Sequence, residues 1–184
     1  MKWIVRYCKV ADLNYVLHNL SHYNECWKTL KETSFDKINK IYLCQSDMKV
    51  FDFDCIVKTL YPKKQPASYD ALIINQKDKL VYCVEFKNQK PSEIDKSNIQ
   101  KKLKHGKEIL TDICKQNNVQ QNLYTFIYCV VFKENKRGYR NGIKNSTIRF
   151  DLEQYKNQYF DEIITNDIVF FTREFQKKFL AETC

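Results

Sequence analysis

The chain has 184 residues, 43% of them hydrophobic and 29% charged, a balance that admits one well-buried core and excludes a disordered polymer. Three glycines and three prolines exclude long flexible linkers, and no run approaches the roughly 18 uninterrupted apolar residues of a membrane span. The net charge of +9 favours a polyanionic partner, although a lysine-rich solvated surface would carry it equally well.

The opening stretch MKWIVRYCKVADLN is broken by Arg6 and Lys9 and lacks the apolar run of a secretory signal, so a cytoplasmic protein is expected. From about Asp12 to Lys31, Leu13, Val16, Leu17, Leu20, Tyr23, Trp27 and Leu30 recur at helical spacing and predict one amphipathic helix. His18 and His22 stand four apart on it, without the further ligands of a metal site. KVFDFDCIVK, Lys49 to Lys58, alternates and predicts a strand. Pro62 and Pro66 mark a loop. YDALIIN (69–75) and KLVYCVEFKN (79–88), joined through NQKD, predict a β-hairpin. Ser97 to Gln116 carries Ile99, Leu103, Gly106, Leu110 and Ile113 on one stripe, and Ser92, Asp95 and Ser97 precede it as candidate caps. LYTFIYCVVFK (123–133) reads as a strand buried on both faces. Ser146 to Phe150 is a further short strand candidate, and 151–184 reads as helical around a strand-like DIVFF. A single domain is expected, with a core over 12–133 and a helical addition over 134–184.

The eight cysteines include no CxxC pair, and Cys83 and Cys129 lie within apolar runs, so reduced thiols are expected throughout. Residues 87–107 hold seven lysines against Glu93 and Asp95, and residues 133–149 hold six basic residues against Glu134. Lys101, Lys104, Arg137 and Arg140 are the nucleic-acid contacts these two segments suggest.

The chemistry concentrates on the predicted hairpin. Alternation along KLVYCVEFKN sends Glu85 and Lys87 to one face, at the end of an otherwise apolar strand. Asp70, entering the neighbouring strand, meets Glu85 if the register suits. Two carboxylates and the Phe86 carbonyl make a hard oxygen site suited to Mg²⁺, with Mn²⁺ as the alternative. Lys87 is then placed to orient a water or to stabilise charge growing on a phosphate. A cross-strand surface ion pair, with Asp70 capping a turn, is the bland alternative.

Asp70, fourteen residues, and then Glu85-Phe86-Lys87 on a hairpin between two helices resembles the PD-(D/E)xK nuclease superfamily. Ser68-Tyr69 stands where that motif often has proline. The resemblance covers about residues 12–133. It implies an α/β restriction-endonuclease-like core of order αβββαβ, a mixed sheet flanked by helices, and a metal-dependent endonuclease acting on nucleic acid, DNA ahead of RNA. It also implies a Glu on the first helix as a further metal ligand, with Glu25 ahead of Glu32, and a polar residue on the later helix near the reacting phosphate. Gln100 is the choice for that catalytic role, with Lys104 beside it. Asp54, ahead of Asp52, is another ligand candidate on the FDFD segment. Cutting both strands of a duplex needs two centres, so a homodimer is expected. A catalytically inactive nucleic-acid-binding module of the same fold, or a protein-interaction protein of the immunity or adaptor kind, are the alternatives.

Overall fold

Residues 10–20, 24–133 and 147–173 are described by a computed structural model. The chain begins with helix α1 (Leu13–Leu20), a turn of 3₁₀ helix at Asn24–Cys26, strand β1 (Trp27–Thr29) and the short helix α2 (Leu30–Thr33). A small hairpin follows, β2 (Phe35–Asp36) and β3 (Ile41–Tyr42), then strand β4 (Lys49–Asp52) and helix α3 (Phe53–Leu60). Strands β5 (Ala71–Asn75) and β6 (Leu80–Lys87), helix α4 (Lys96–Gln116), and strands β7 (Thr125–Phe132) and β8 (Glu162–Asp167) complete the labelled elements. Among the described residues no helix is long and apolar enough to cross a membrane.

Six strands form one mixed sheet in the order β1-β4-β5-β6-β7-β8, antiparallel from β1 to β6 and parallel from β6 to β8. The parallel step follows from α4, which carries the chain back across the sheet between β6 and β7. Alternation divides the sheet residues between two cores. Leu72, Cys83, Tyr128 and Val130 pack with Ile99, Leu103 and Leu110 of α4, while Ile73, Val84, Cys129 and Val131 pack with Leu30 and Phe171 on the other side. The sheet is thus flanked by helices, and β7, covered on both faces, is as apolar as its sequence requires.

Four sequence expectations are corrected. The single helix over Asp12–Lys31 is instead α1, a 3₁₀ turn, β1 and α2. Thr29 stands extended as the N-cap of α2 in a reciprocal capping box with Glu32, which ends any helix arriving from Trp27. Trp27 meanwhile sits opposite Phe51 in the sheet, their rings 4.6 Å apart. The strand over Lys49–Lys58 stops at Asp52, whose side chain accepts the Cys55 N–H and starts α3 with Phe53, Ile56 and Val57 facing inward. Residues 147–149 form no strand, and the tail's strand is Glu162–Asp167 rather than DIVFF, so the C-terminal addition supplies a sixth strand instead of helices alone. Asp167 accepts the Phe170 N–H and turns the chain into helix over 168–173. Finally, Cys26 and Cys55 are joined by a disulfide, against the expectation of reduced thiols throughout. Cys44, Cys83 and Cys114 are free and buried, and Cys129 is buried as well, in keeping with small apolar side chains.

Candidate functional site

The hairpin register decides the site. Ala71 pairs with Val84, so one step further out Asp70 lies opposite Glu85 on the face that carries Leu72 and Cys83. The Asp70 N–H donates to the Val84 carbonyl (2.9 Å), and the Phe86 N–H donates to Asp70 Oδ2 (2.6 Å). The Asp70 carbonyl accepts the Phe53 N–H (3.0 Å), which ties the start of α3 to the same point. The two acids therefore converge on backbone geometry and need no flexible side chain to bring them together.

Glu85 is fully buried (0% exposed). Lys87, two residues on and on the same face, places its Nζ 2.8 Å from Glu85 Oε1. That approach is an ion pair off the hydrogen-bonding direction, because Oε1 has no hydrogen-bond donor among the described residues. Lys102 reaches down from α4, its Nζ 2.9 Å from Glu85 Oε2 and 3.3 Å from Asp70 Oδ1. These groups line a cleft of about 280 Å³ bordered by Asp36, Ile38, Asn39 and Asn88. Asp54, on the first turn of α3, accepts a short hydrogen bond from Ser68 Oγ and adds a third carboxylate at the margin.

The charges are tightly linked. Burial pushes the Asp70 carboxyl up to about 8, and the Glu85 charge adds to the rise against the pull of Lys102. Burial likewise raises Asp54, with Lys102 opposing. For Lys102 burial acts to discharge the ammonium, yet Asp70, Glu85 and Asp54 outweigh it and hold it charged well above the usual lysine range.

The structure brings together Asp70, Glu85 and Lys87 and places the Phe86 backbone beside them. Of the other candidates only Asp54 reaches the site's margin. Gln100 turns toward the C-terminal segment, donating to the Phe150 carbonyl (3.1 Å) and accepting from Tyr155 Oη (3.3 Å). Lys104 lies over the Tyr155 ring, 5.0 Å from its centroid, and Lys101 is exposed. Glu25 is exposed and borders a different cleft, of about 750 Å³, together with Lys28, Asp52 and Asp54. Glu32 is spent on the α2 cap, and Asp52 on its own cap and on Lys28 at 2.6 Å. The shared strand face proposed for Asp52 and Asp54 is lost because Asp54 stands in a helix. Arg137, Arg140 and His22 lie outside the described residues, and His18 packs its ring against Trp27 and Phe51.

Lys102 is the site residue that sequence reasoning missed. Its signal was present: 102 is three beyond Ile99 and four before Gly106, so a lysine occupies the apolar stripe of α4. A charge on a buried stripe announces a buried partner.

Among the described residues no group of three or more His, Cys, Asp or Glu side chains converges as a metal cage. The donor set nevertheless suits a hard divalent ion held by two carboxylates with waters and substrate oxygens completing its shell. One observation supports the fit: the Lys102 ammonium already marks a cation position between the two acids. Searches of protein-family models, curated proteins and solved structures found no match to this chain.

Proposed function

We propose that this chain is a divalent-metal-dependent phosphodiesterase acting on nucleic acid, DNA ahead of RNA, built on the αβββαβ core of the PD-(D/E)xK nucleases. The observation that carries the reading is the convergence of Asp70 and Glu85 across one hairpin, with Lys87 two residues beyond on the same face. The order α1, β4, β5, β6, α4, β7, antiparallel through β6 and then parallel, supports that core. Asp70 and Glu85 would hold Mg²⁺ or Mn²⁺, which supplies Lewis acidity and a more acidic bound water. Lys87, 21% exposed at the cleft, is placed to orient the attacking water and to stabilise charge developing on the phosphate. Lys102 keeps the two carboxylates aligned and can turn its ammonium to a phosphate oxygen, the role the resemblance implied for Gln100. A homodimer would supply the two centres that double-strand cutting needs.

A plasmid-nicking assay with Mg²⁺, Mn²⁺ and EDTA tests the reading. Glu85→Ala should abolish cleavage and weaken metal binding, whereas Lys87→Ala should abolish cleavage and keep the metal. Wild-type cleavage by both variants would refute the assignment. One observation favours a second reading, a binding module without turnover: Lys102 neutralises both acids as a purely structural ion cluster would. A wild-type chain that binds DNA yet stays inert with every metal would select it.

A further inference from the structure

The four residues between β2 and β3 are Lys37, Ile38, Asn39 and Lys40. Ile38 is 91% exposed, the most exposed large hydrophobic side chain among the described residues. A β-branched apolar residue is a poor choice for a turn, where Gly, Asn and Asp serve the backbone better. Local rules are broken in this way chiefly at functional positions.

The tip is held rather than loose. Asp36 Oδ1 accepts the N–H groups of Ile38 (2.9 Å) and Asn39 (3.1 Å), and Oδ2 accepts the Asn39 side-chain amide (2.7 Å). The same Oδ2 accepts from Asn88 Nδ2 (3.3 Å), one residue beyond Lys87, so the turn is tied to the end of β6. Below the tip the Phe35 and Tyr42 rings pair at 4.6 Å, both partly exposed, with Lys31 Nζ 5.3 Å above Tyr42. Asp36, Ile38 and Asn39 border the cleft of Asp70 and Glu85, while Lys37 borders the second cleft with Lys28 and Lys58. Among the described residues Lys37 and Lys40 have no ion-pair partner.

A pinned apolar tip between two unpaired lysines fits a ligand with an anionic backbone and apolar faces between its charges. Nucleic acid has that composition: phosphates for the lysines and base planes for the isoleucine. We propose that the β2–β3 hairpin is a DNA-engaging arm, with Ile38 wedging against a base step next to the phosphate held at the Asp70–Glu85 centre. The position of that phosphate rests on the phosphodiesterase reading. The wedge unstacks the step and bends the strand into the cleft, and the flanking lysines follow the backbone.

Short DNA duplexes carrying one 2-aminopurine, moved step by step along the sequence, test the arm. They would be titrated with the full chain in Ca²⁺, with cleavage followed in parallel in Mg²⁺ and Mn²⁺. The wild type should raise the fluorescence several-fold at one or two steps. Ile38→Ser should lose that rise and bind about tenfold more weakly, while Ile38→Leu keeps both. An Ile38→Ser chain that matches the wild type at every step would overturn the proposal, as would a wild type that gives no rise or binds no DNA. A rise without cleavage in either metal would sink the phosphodiesterase reading and leave the arm standing. Cleavage without a rise would do the reverse.

Discussion

Replacing Lys102 by methionine keeps the aliphatic stem and removes the ammonium that bridges Asp70 and Glu85. At an effective dielectric of about 20, the 2.9 Å contact with Glu85 represents about 5–6 kcal/mol of gross attraction, and the 3.3 Å contact adds to it only where Asp70 is ionised. Desolvation of several kcal/mol per ion offsets much of this, and removing one partner of a buried pair typically costs about 3–5 kcal/mol. Two features lower the loss here. Lys87 stays 2.8 Å from Glu85, and Asp70, already pushed toward its neutral form by burial, can take up a proton. A loss of about 2–4 kcal/mol remains, which for a chain of this size lowers Tm by roughly 5–15 °C. If the centre takes a divalent ion, Mn²⁺ should restore much of that loss, since ligand at about 100 times its Kd contributes about 2.7 kcal/mol. Mn²⁺ should also bind the variant more tightly than the wild type, where it must compete with the ammonium. Scanning calorimetry of both chains in EDTA and in Mn²⁺ reads all of this. A variant whose Tm lies within about 1 °C of the wild type would show that the ammonium is not buried against the acids. A destabilised variant that ignores Mn²⁺ would show that the acids do not form a metal site.

The Asp70 carboxyl sets a pH dependence. Its folded pKa of about 8 lies above the ordinary 3.8, so the metal-free fold retains a proton the unfolded chain releases, and stability should fall as pH climbs from about 4 to about 8. A divalent ion must displace that proton, so calorimetric affinity should rise between pH 6 and 8 and level off above; a flat profile would remove Asp70 as the titrating ligand. Gly106→Ala should cost about 1–3 kcal/mol in urea unfolding, because its Cβ would strike the ring of Tyr69, which is itself stacked on Phe53 at 4.5 Å. An unchanged midpoint would mean that the ring has room to move. Reducing Cys26–Cys55, which spans 29 residues, should remove about 3–4 kcal/mol in the chain-entropy account, seen as a lower Tm in reductant that the Cys26→Ser, Cys55→Ser double variant reproduces. A Tm insensitive to reductant would show that the bond does not form in the folded protein.

The hairpin, α4 and β7 were legible from the sequence because each is specified locally. Alternation of period 2, a four-residue turn and a capped stripe of period 3.6 need no distant partner to define them. The pairing of Asp70 with Glu85 was left conditional by the sequence, and only the register that sets Ala71 opposite Val84 decided it. The segments 12–31 and 49–58 were misread for one reason: a single capping residue, Thr29 or Asp52, changes the element in the middle of a continuous pattern. Helical spacing and alternation both fit such short stretches, and tertiary pairing of Trp27 with Phe51 decides between them. Lys102, the Cys26–Cys55 bond and the turning of Gln100 toward Tyr155 were decided by the tertiary structure alone. Each depends on which residue of one element faces which residue of another far along the chain. A side chain's sequence neighbours fix its own face, whereas its partner across the core follows only from how the elements pack.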